Sequence, residues 1–452
     1  MKRRPVLKAG VAIAGMAGVG YALRRSIVAR LDRWTRRADF AATPPLLPHD
    51  PVRDRSRVAV ARGGAPADNI DAALAKVGGI ERVVGERDVV LIKVSAQWWN
   101  QGMTNVAAAR RLIERVVGRP GFAGEVIVFE NTHFRLPDGS GLSRAWTRPS
   151  DRNVDVPGWT RLGDLIPHFA GLKAPVSFVG LIDGGASALA GDHWFDSRHE
   201  HGVYGGDGRG PIADGEERDG YHWDFTETFS LPRSLVDSAR TPLTWPVFTS
   251  PRSGLVVDLR RGIFQKDASG RRAPVADRKL TWINMTTCNE HAATGITAAC
   301  KSPMGLVDMS AGALGTDPRG RGYQSLHYFG YPNASWRMAG PLADFTMKVR
   351  APDLYLTVAE WISITPPGPW DPERQDIRLE EASARRARTV VAGTDPVAID
   401  TYCARNLLMP ASGARRDMWD LDDPSSFAVK FLRYYRQVAG RGTMDPSLIE
   451  VV

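Results

Sequence analysis

The chain has 452 residues, 43% hydrophobic and 24% charged, an ordinary globular composition that allows one large domain or two moderate ones. Its net charge of +9 comes from 59 Lys and Arg against 50 Asp and Glu. Ten of those bases and one acid, Asp32, fall in residues 1–37, which leaves 49 of each sign in residues 38–452 and excludes the basic face that nucleic-acid binding requires.

The first element is a leader. Arg3-Arg4-Pro5-Val6-Leu7-Lys8 is close to a twin-arginine export signal, and a Gly/Ala-rich apolar run from Ala9 to Leu23 follows it. That run is shorter than the ~20 residues of a spanning helix. No small-x-small cleavage site follows Leu23; instead Arg24–Arg37 is a basic amphipathic stretch suited to an anionic membrane surface. Residues 1–37 are therefore expected to be a twin-arginine signal, cleaved or kept as an N-terminal anchor. The expected location is the periplasm or the outer face of the inner membrane, with the twin-arginine export machinery as a partner.

Residues 38–54 are Pro-rich and read as a linker. Beyond them strands and helices alternate. Val58–Arg62 is β-rich, Asn69–Val77 helical, and Asp88–Val94 a nearly continuous apolar strand of the kind covered on both faces. Asn105–Val117 has apolar residues at helical spacing, and Glu125–Glu130 (EVIVFE) is the next strand. Trp159–Phe169 reads as helix and Val176–Ile182 as strand. Residues 184–250 break the pattern: they are rich in Gly, Asp, His and aromatics with little periodicity, and suggest an ordered, irregular insertion over a cleft. The alternation resumes with strands at Gly254–Leu259 and Lys279–Met285, a helix near Thr294–Met304, and strands at Leu354–Val358 and Thr389–Ala392. Helices follow at Pro396–Leu408 and Ser426–Gln437. The fold class is α/β, a mostly parallel sheet with flanking helices and a long insertion. The main domain spans residues 55–410, and residues 411–452 form a helical extension.

Three places bring polar residues to strand ends, where ligands of open α/β sheets collect. Lys93 closes an apolar strand, and an ammonium there needs an acid or an anionic ligand; Glu130-Asn131 ends EVIVFE in the same way. In Asn284–Gly305 (NMTTCNEHAATGITAACKSPMG), Thr294, Thr297 and Lys301 share a face if the segment is helical. His291 stands just ahead of that helix, as an acid/base or a metal ligand. Asp395-Pro396 is a helix start, with Asp395 as cap or ligand. The candidate catalytic residues are thus His291, Lys301, Lys93 and Glu130, and the candidate ligand-binding residues are Asn131, Thr294, Thr297, Gly305 and Asp395. The insertion adds a candidate metal site at His193, His199 and His201, although no known metal spacing occurs there. Cys288, Cys300 and Cys403 form no CxxC pair, so this chain alone offers no cysteine-ligated iron–sulfur cluster. They read as buried apolar residues, with a Cys288–Cys300 disulfide as the alternative.

Together, Arg57–Gly63 (RVAVARG), Ala73–Gly79 (ALAKVGG), Val90–Lys93 (VLIK), His291–Gly305, Asp353–Glu360 (DLYLTVAE) and Val391–Asp400 (VAGTDPVAID) resemble the domain of unknown function 362 family. The resemblance covers most of residues 55–410 and implies an α/β fold with no assigned activity. Some members of that family carry a ferredoxin-type module that this sequence lacks. Asn289 stands where the family pattern has its first lysine, His291 and Lys301 match, Ser302 replaces an asparagine, and Val94-Ser95 replaces Pro-Asn after Lys93. An anion site built on both family lysines is weakened by these departures. The expectation is an exported, enzyme-like protein binding an anionic small molecule or a metal at the strand ends, with redox chemistry suggested by the export route. The alternative is a non-catalytic periplasmic or membrane-associated ligand-binding or assembly protein.

Overall fold

In the computed structural model, the described residues are 55–130, 144–181, 194–196, 212, 216, 218–228, 242–291, 294–307, 338–365, 370–371, 376–377, 383–413 and 416–452. The expected alternation opens the domain. It runs β1 (Ser56–Arg62), α1 (Pro66–Lys76), β2 (Val89–Lys93), α2 (Val106–Val117), β3 (Glu125–Glu130), α3 (Leu165–Gly171), β4 (Val176–Gly180) and β5 (Trp194–Asp196). Each element has a local cause. Pro66 supplies the preset φ of a first helical turn in α1. Asn105 caps α2 by accepting from the Ala108 N–H, and Val106, Ala109, Leu112, Ile113 and Val116 form its buried stripe. All five residues of β2 are buried, because both faces of the sheet are covered.

The chain then builds a second sheet from β6 (Gly220–Thr228), β7 (Pro242–Thr249), β8 (Val256–Asp258), β9 (Gly262–Lys266) and β10 (Arg272–Pro274). These five strands form an antiparallel meander in sequence order. Strands β5, β6 and β7 lie within the expected irregular insertion, and Gly254–Leu259 belongs to this meander, not to the main sheet. The period-two pattern Leu243, Trp245, Val247 carries β7, all three side chains being buried, while Pro242 and Pro246 obscure it in the sequence. Ser250 and Ser253 hydroxyls donate to the Glu125 carboxylate at 2.6 Å each, tying the meander to the start of β3.

The rest of the chain returns to the main sheet through β11 (Leu280–His291), β12 (Gly295–Thr297), α4 (Ala339–Asp344), β13 (Leu354–Ser363), the short pair β14 (Trp370–Asp371) and β15 (Asp376–Ile377), β16 (Ala384–Gly393), α5 (Pro396–Cys403), α6 (Phe427–Ala439) and β17 (Ile449–Val451). The main sheet has the order β17-β1-β16-β13-β11-β2-β3-β4-β5, with β12 added against β11. Its pairs are parallel except β1–β16, β16–β13 and β11–β12. The C-terminal residues contribute more than helix, since β17 lies parallel to β1 and finishes one edge.

One expected helix is absent. Near Thr294–Met304 the chain instead makes the hairpin strand β12 and a single 3-10 turn, Ser302–Gly305. Gly295 takes φ of 76°, a left-handed turn, and Pro303 removes a donor that a longer helix would need. Strand β11 also runs six residues beyond the expected end at Met285, through His291.

Strand alternation splits the core into two layers. Val90, Ile92, Val128 and Ile283 pack with α1, α2 and α3 on one face. Val89, Leu91, Trp282 and Tyr355 face the other way, toward the meander, α5 and α6. Cys288, Cys300 and Cys403 are buried free thiols, so the Cys288–Cys300 disulfide does not form and the apolar reading holds.

Candidate functional site

The site starts with register. Lys93, the last residue of β2, is level with Asn284 on β11, and Asn284 is level with Tyr355 on β13. Alternation puts these three on the face that Leu91 and Trp282 also use, so a polar row crosses the floor of an otherwise apolar layer. Buried polar groups of this kind need partners. Lys93, 3% exposed, finds one in Glu130, 7% exposed, at the end of neighbouring β3: Nζ to Oε1 is 3.3 Å. The second carboxylate oxygen of Glu130 accepts the Ala96 N–H.

Residues 298–305 lie across this row. The Ala299 and Cys300 N–H groups donate to the two oxygens of buried Asp400 on α5, at 2.7 and 3.0 Å. The Ser302 hydroxyl donates to Asn284 Oδ1 at 2.7 Å. Gly305 sits so close that a methyl group there would lie 2.8 Å from Lys93 Cε and 3.1 Å from Glu130 Oε1. The segment thus brings Lys301, 8% exposed, into the field of Lys93.

Charge and hydrogen bonding do not close here. Among the described residues the Lys301 ammonium has neither ion pair nor hydrogen bond, and the buried Asn284 Nδ2 and Tyr355 hydroxyl have no partner. Among the described residues the Glu130 carboxylate pairs with Lys93 and not with Lys301. Burial, then the like charge of Lys93, pulls Lys301 down to about 7. Burial pushes Glu130 up to about 7, against the pull of Lys93 and the Ala96 N–H. Lys93 is itself lowered, by burial first, with Glu130 acting against it. Asp400, beneath the same segment, is raised by burial to about 7, although Cys300 and Ala299 N–H groups favour its charged form. Near neutral pH the cluster therefore holds groups able either to give or to take a proton, together with two donors free to hold an anion.

Lys93, Glu130, Lys301 and Gly305 come together as the strand-end argument expects. His291 does not join them. It follows Asn284 by seven residues along β11, roughly 20 Å of extended strand, and its Nδ1 accepts the Thr294 N–H at 3.2 Å. Thr294 precedes β12 and Thr297 ends it, and with no helix there they share no face with Lys301; the Thr294 hydroxyl donates to the Ile296 carbonyl at 2.8 Å. Asp395 caps α5, accepting from Val397 and Ala398 N–H groups, and it also accepts the Thr443 N–H and the Ser56 hydroxyl. Both its oxygens are occupied in joining α5, β1 and the C-terminal segment. It also borders a cavity of about 280 Å³ lined by Arg55, Thr394, Tyr435 and Arg441. Asn131, His193, His199 and His201 lie outside the described residues, so the expected histidine metal site has no geometry here; among the described residues no group of three His, Cys, Asp or Glu could hold a metal ion.

Asn284, Ser302 and Tyr355 were missed as site residues. The signal for Asn284 was its place in the strand Lys279–Met285, where alternation puts a polar side chain inward among Leu280 and Trp282. Tyr355 carried no such signal, because a tyrosine in an apolar strand reads as core.

No curated protein matches the chain. Among solved structures it is similar to a crystal structure of a protein from Thermotoga maritima, a target of the Northeast Structural Genomics Consortium, with TM-score 0.33 and 11% identity; the match covers 84% of this chain and 60% of that one. The chain thus spans about 60% of the length of that protein. Residues 272–405, which carry Asn284, Lys301, Ser302, Gly305, Tyr355 and Asp400, match the family model described as domain of unknown function DUF362.

Proposed function

We propose that the protein is exported and that its lysine pair receives an anionic small molecule, in an enzyme-like site at the ends of β2 and β3, beside Asn284 within β11. One observation carries the site reading: the buried Lys301 lies in the field of a second buried lysine, Lys93, and while Lys93 is paired with buried Glu130, the Lys301 ammonium is unpaired among the described residues. A charge left this way in a low-dielectric layer is costly until an anion arrives. Asn284 Nδ2 and the Tyr355 hydroxyl add neutral donors in the same row. The export reading is supported by Arg3-Arg4 ahead of a short apolar run and by the concentration of basic charge in residues 1–37.

The sign of the pH dependence follows from the two groups near 7. Below that pH Lys301 is an ammonium and Glu130 a neutral acid, so the cluster is positive; above it Lys301 is neutral and Glu130 charged, and the attraction for an anion fades. Thermal unfolding of the full chain with phosphate, sulfate, oxalate and lactate tests this. A binding anion should stabilise the wild type by about 2.7 kcal/mol at a hundred times its dissociation constant. The effect should shrink as pH rises through 7 and vanish in Lys301→Met. If no anion of the panel raises the midpoint on the acid side of neutrality, the reading is wrong.

A further inference from the structure

We infer that the protein has a second anion site, at the entry to β1, and that it takes a small ligand carrying two phosphate groups. Two adjoining cavities form it. One, of about 280 Å³, has Arg55, Arg441, Thr394 and Asp395 in its wall. The other, of about 270 Å³, has Arg57, Arg82, Lys279, Asp353 and again Thr394. Neither wall includes Lys93, Glu130 or Lys301, so this place is separate from the lysine row. Arg55 and Arg57 lie two residues apart, roughly 7 Å along an extended chain, and the start of β1 thus contributes one arginine to each cavity.

The fold leaves the positive charge here unanswered. Asp395 spends both oxygens on the Val397, Ala398 and Thr443 N–H groups and the Ser56 hydroxyl. Asp353 pairs with Lys279 at 2.8 Å and accepts the Trp282 N–H at 2.9 Å. Arg55, Arg57, Arg82 and Arg441 are exposed and have neither hydrogen bond nor ion pair among the described residues, although Glu450 stands level with Arg57 on β17. Each cavity therefore holds two uncommitted guanidinium groups beside an acid already engaged. One fork saturates the two oxygens of a carboxylate, whereas a phosphate has oxygens for two forks, so the pairing favours one phosphate in each cavity. The first amides of α5 are taken by Asp395, which leaves the arginines and not the helix end to hold the ligand. Tyr435 and Thr346, buried and bonded hydroxyl to hydroxyl at 2.8 Å, keep the inner wall of the first cavity polar. Two sources supply this chemistry: a free diphosphate, or a lipid headgroup with two phosphates, since the linker from the basic leader enters the domain at Arg55.

Calorimetric titration of the full-length protein at about pH 8 reads this site alone, because Lys301, at about 7, has by then largely lost its proton and the lysine row its attraction for anions. The probes are pyrophosphate and the deacylated headgroup of cardiolipin, whose two phosphates are joined through glycerol. At least one should bind, and Arg57→Gln and Arg441→Gln, one from each cavity, should each weaken it at least tenfold. Both side chains are exposed and without partners, so the variants should keep the unfolding midpoint of the wild type. Arg271→Gln, an exposed base outside both cavities, should bind as the wild type does, and so should Lys301→Met. Tighter binding of pyrophosphate identifies a free diphosphate, and tighter binding of the headgroup identifies a membrane lipid. If neither probe binds, or if Arg271→Gln costs as much as the cavity variants, the site is refuted and the lysine-row reading stands untouched. A loss confined to one of the two cavity variants refutes the two-phosphate ligand.

Discussion

At the scale of single residues, the energetics are set by four ionisable groups buried in one layer. Lys93, Lys301, Glu130 and Asp400 each ionise less readily than in water, because desolvation outweighs the partners that the fold supplies. This has a consequence for stability as a function of pH. Glu130 moves from 4.5 to about 7 and Asp400 from 3.8 to about 7. Between those limits the folded protein holds protons that the unfolded chain has released, so stability falls as pH rises toward 7. Lys301 acts in the opposite sense: the unfolded chain keeps its proton to 10.5 and the folded protein loses it near 7, so stability recovers as pH rises above 7, with Lys93 adding to the same limb. The recovery ends near pH 9, where the raised thiols of Cys300 and Cys403 begin to favour the unfolded chain. Thermal midpoints measured across this range should pass through a local minimum near neutrality. Glu130→Gln should flatten the acid limb and Lys301→Met the alkaline limb. A curve that changes monotonically from pH 5 to 9 would contradict the buried-charge account.

At the scale of elements, residues 295–305 perform two separable tasks, and two glycines report on them. Gly295 turns β11 into β12 with φ of 76°, and a methyl group there would lie 2.5 Å from the Ala428 backbone nitrogen and 3.0 Å from the Met418 carbonyl oxygen. Neither backbone atom can yield, so Gly295→Ala should lower the unfolding free energy by about 2–4 kcal/mol. The atoms nearest a methyl group at Gly305 are the ends of Lys93 and Glu130, which can move aside at the cost of their 3.3 Å ion pair. Gly305→Ala should therefore leave most of the stability and weaken the anion response at least tenfold, read by titration calorimetry and chemical unfolding on the same samples. Equal effects of the two substitutions on both quantities would refute this division of labour. The same segment shows where sequence reasoning succeeds and where it stops. Strands such as Val89–Lys93 and Glu125–Glu130 were legible because continuous apolar runs mark sheets covered on both faces, and Lys93, Glu130 and Lys301 were legible as charges with no evident reason to be there. The helix expected near Thr294 failed because residue spacing says nothing about the 76° φ at Gly295 or the length of β11. His291 was grouped with Lys93 as a residue just ahead of that helix, and an extended strand carries it away. Asn284 and Tyr355 needed the register between β2, β11 and β13, which is a long-range property absent from any local pattern.

At the scale of the whole molecule, the ten-stranded sheet divides labour between its faces. Helices α1, α2 and α3 close one side with apolar contacts, while the meander, α5 and α6 close the side that contains the polar row. The row lies near the middle of the strand order, where β2, β3, β11 and β13 meet and the site draws residues from segments as far apart as Lys93 and Lys301. Such a site exists only after the sheet has assembled, because Lys93, Glu130 and Lys301 belong to different strands or loops. This bears on the proposed export. A route that moves the chain unfolded would assemble the site outside the cytoplasm; the twin-arginine route carries a finished fold and any anion already bound to it. Arg3→Lys combined with Arg4→Lys keeps every charge of the leader, so any electrostatic attraction to anionic lipid persists while the paired guanidinium groups are lost. Cell fractionation should then find the variant retained inside, with the thermal midpoint of the exported wild type, and intact mass of the exported form reports whether residues 1–37 remain. Unchanged export of the double variant would rule out the twin-arginine route in favour of one that moves the chain unfolded.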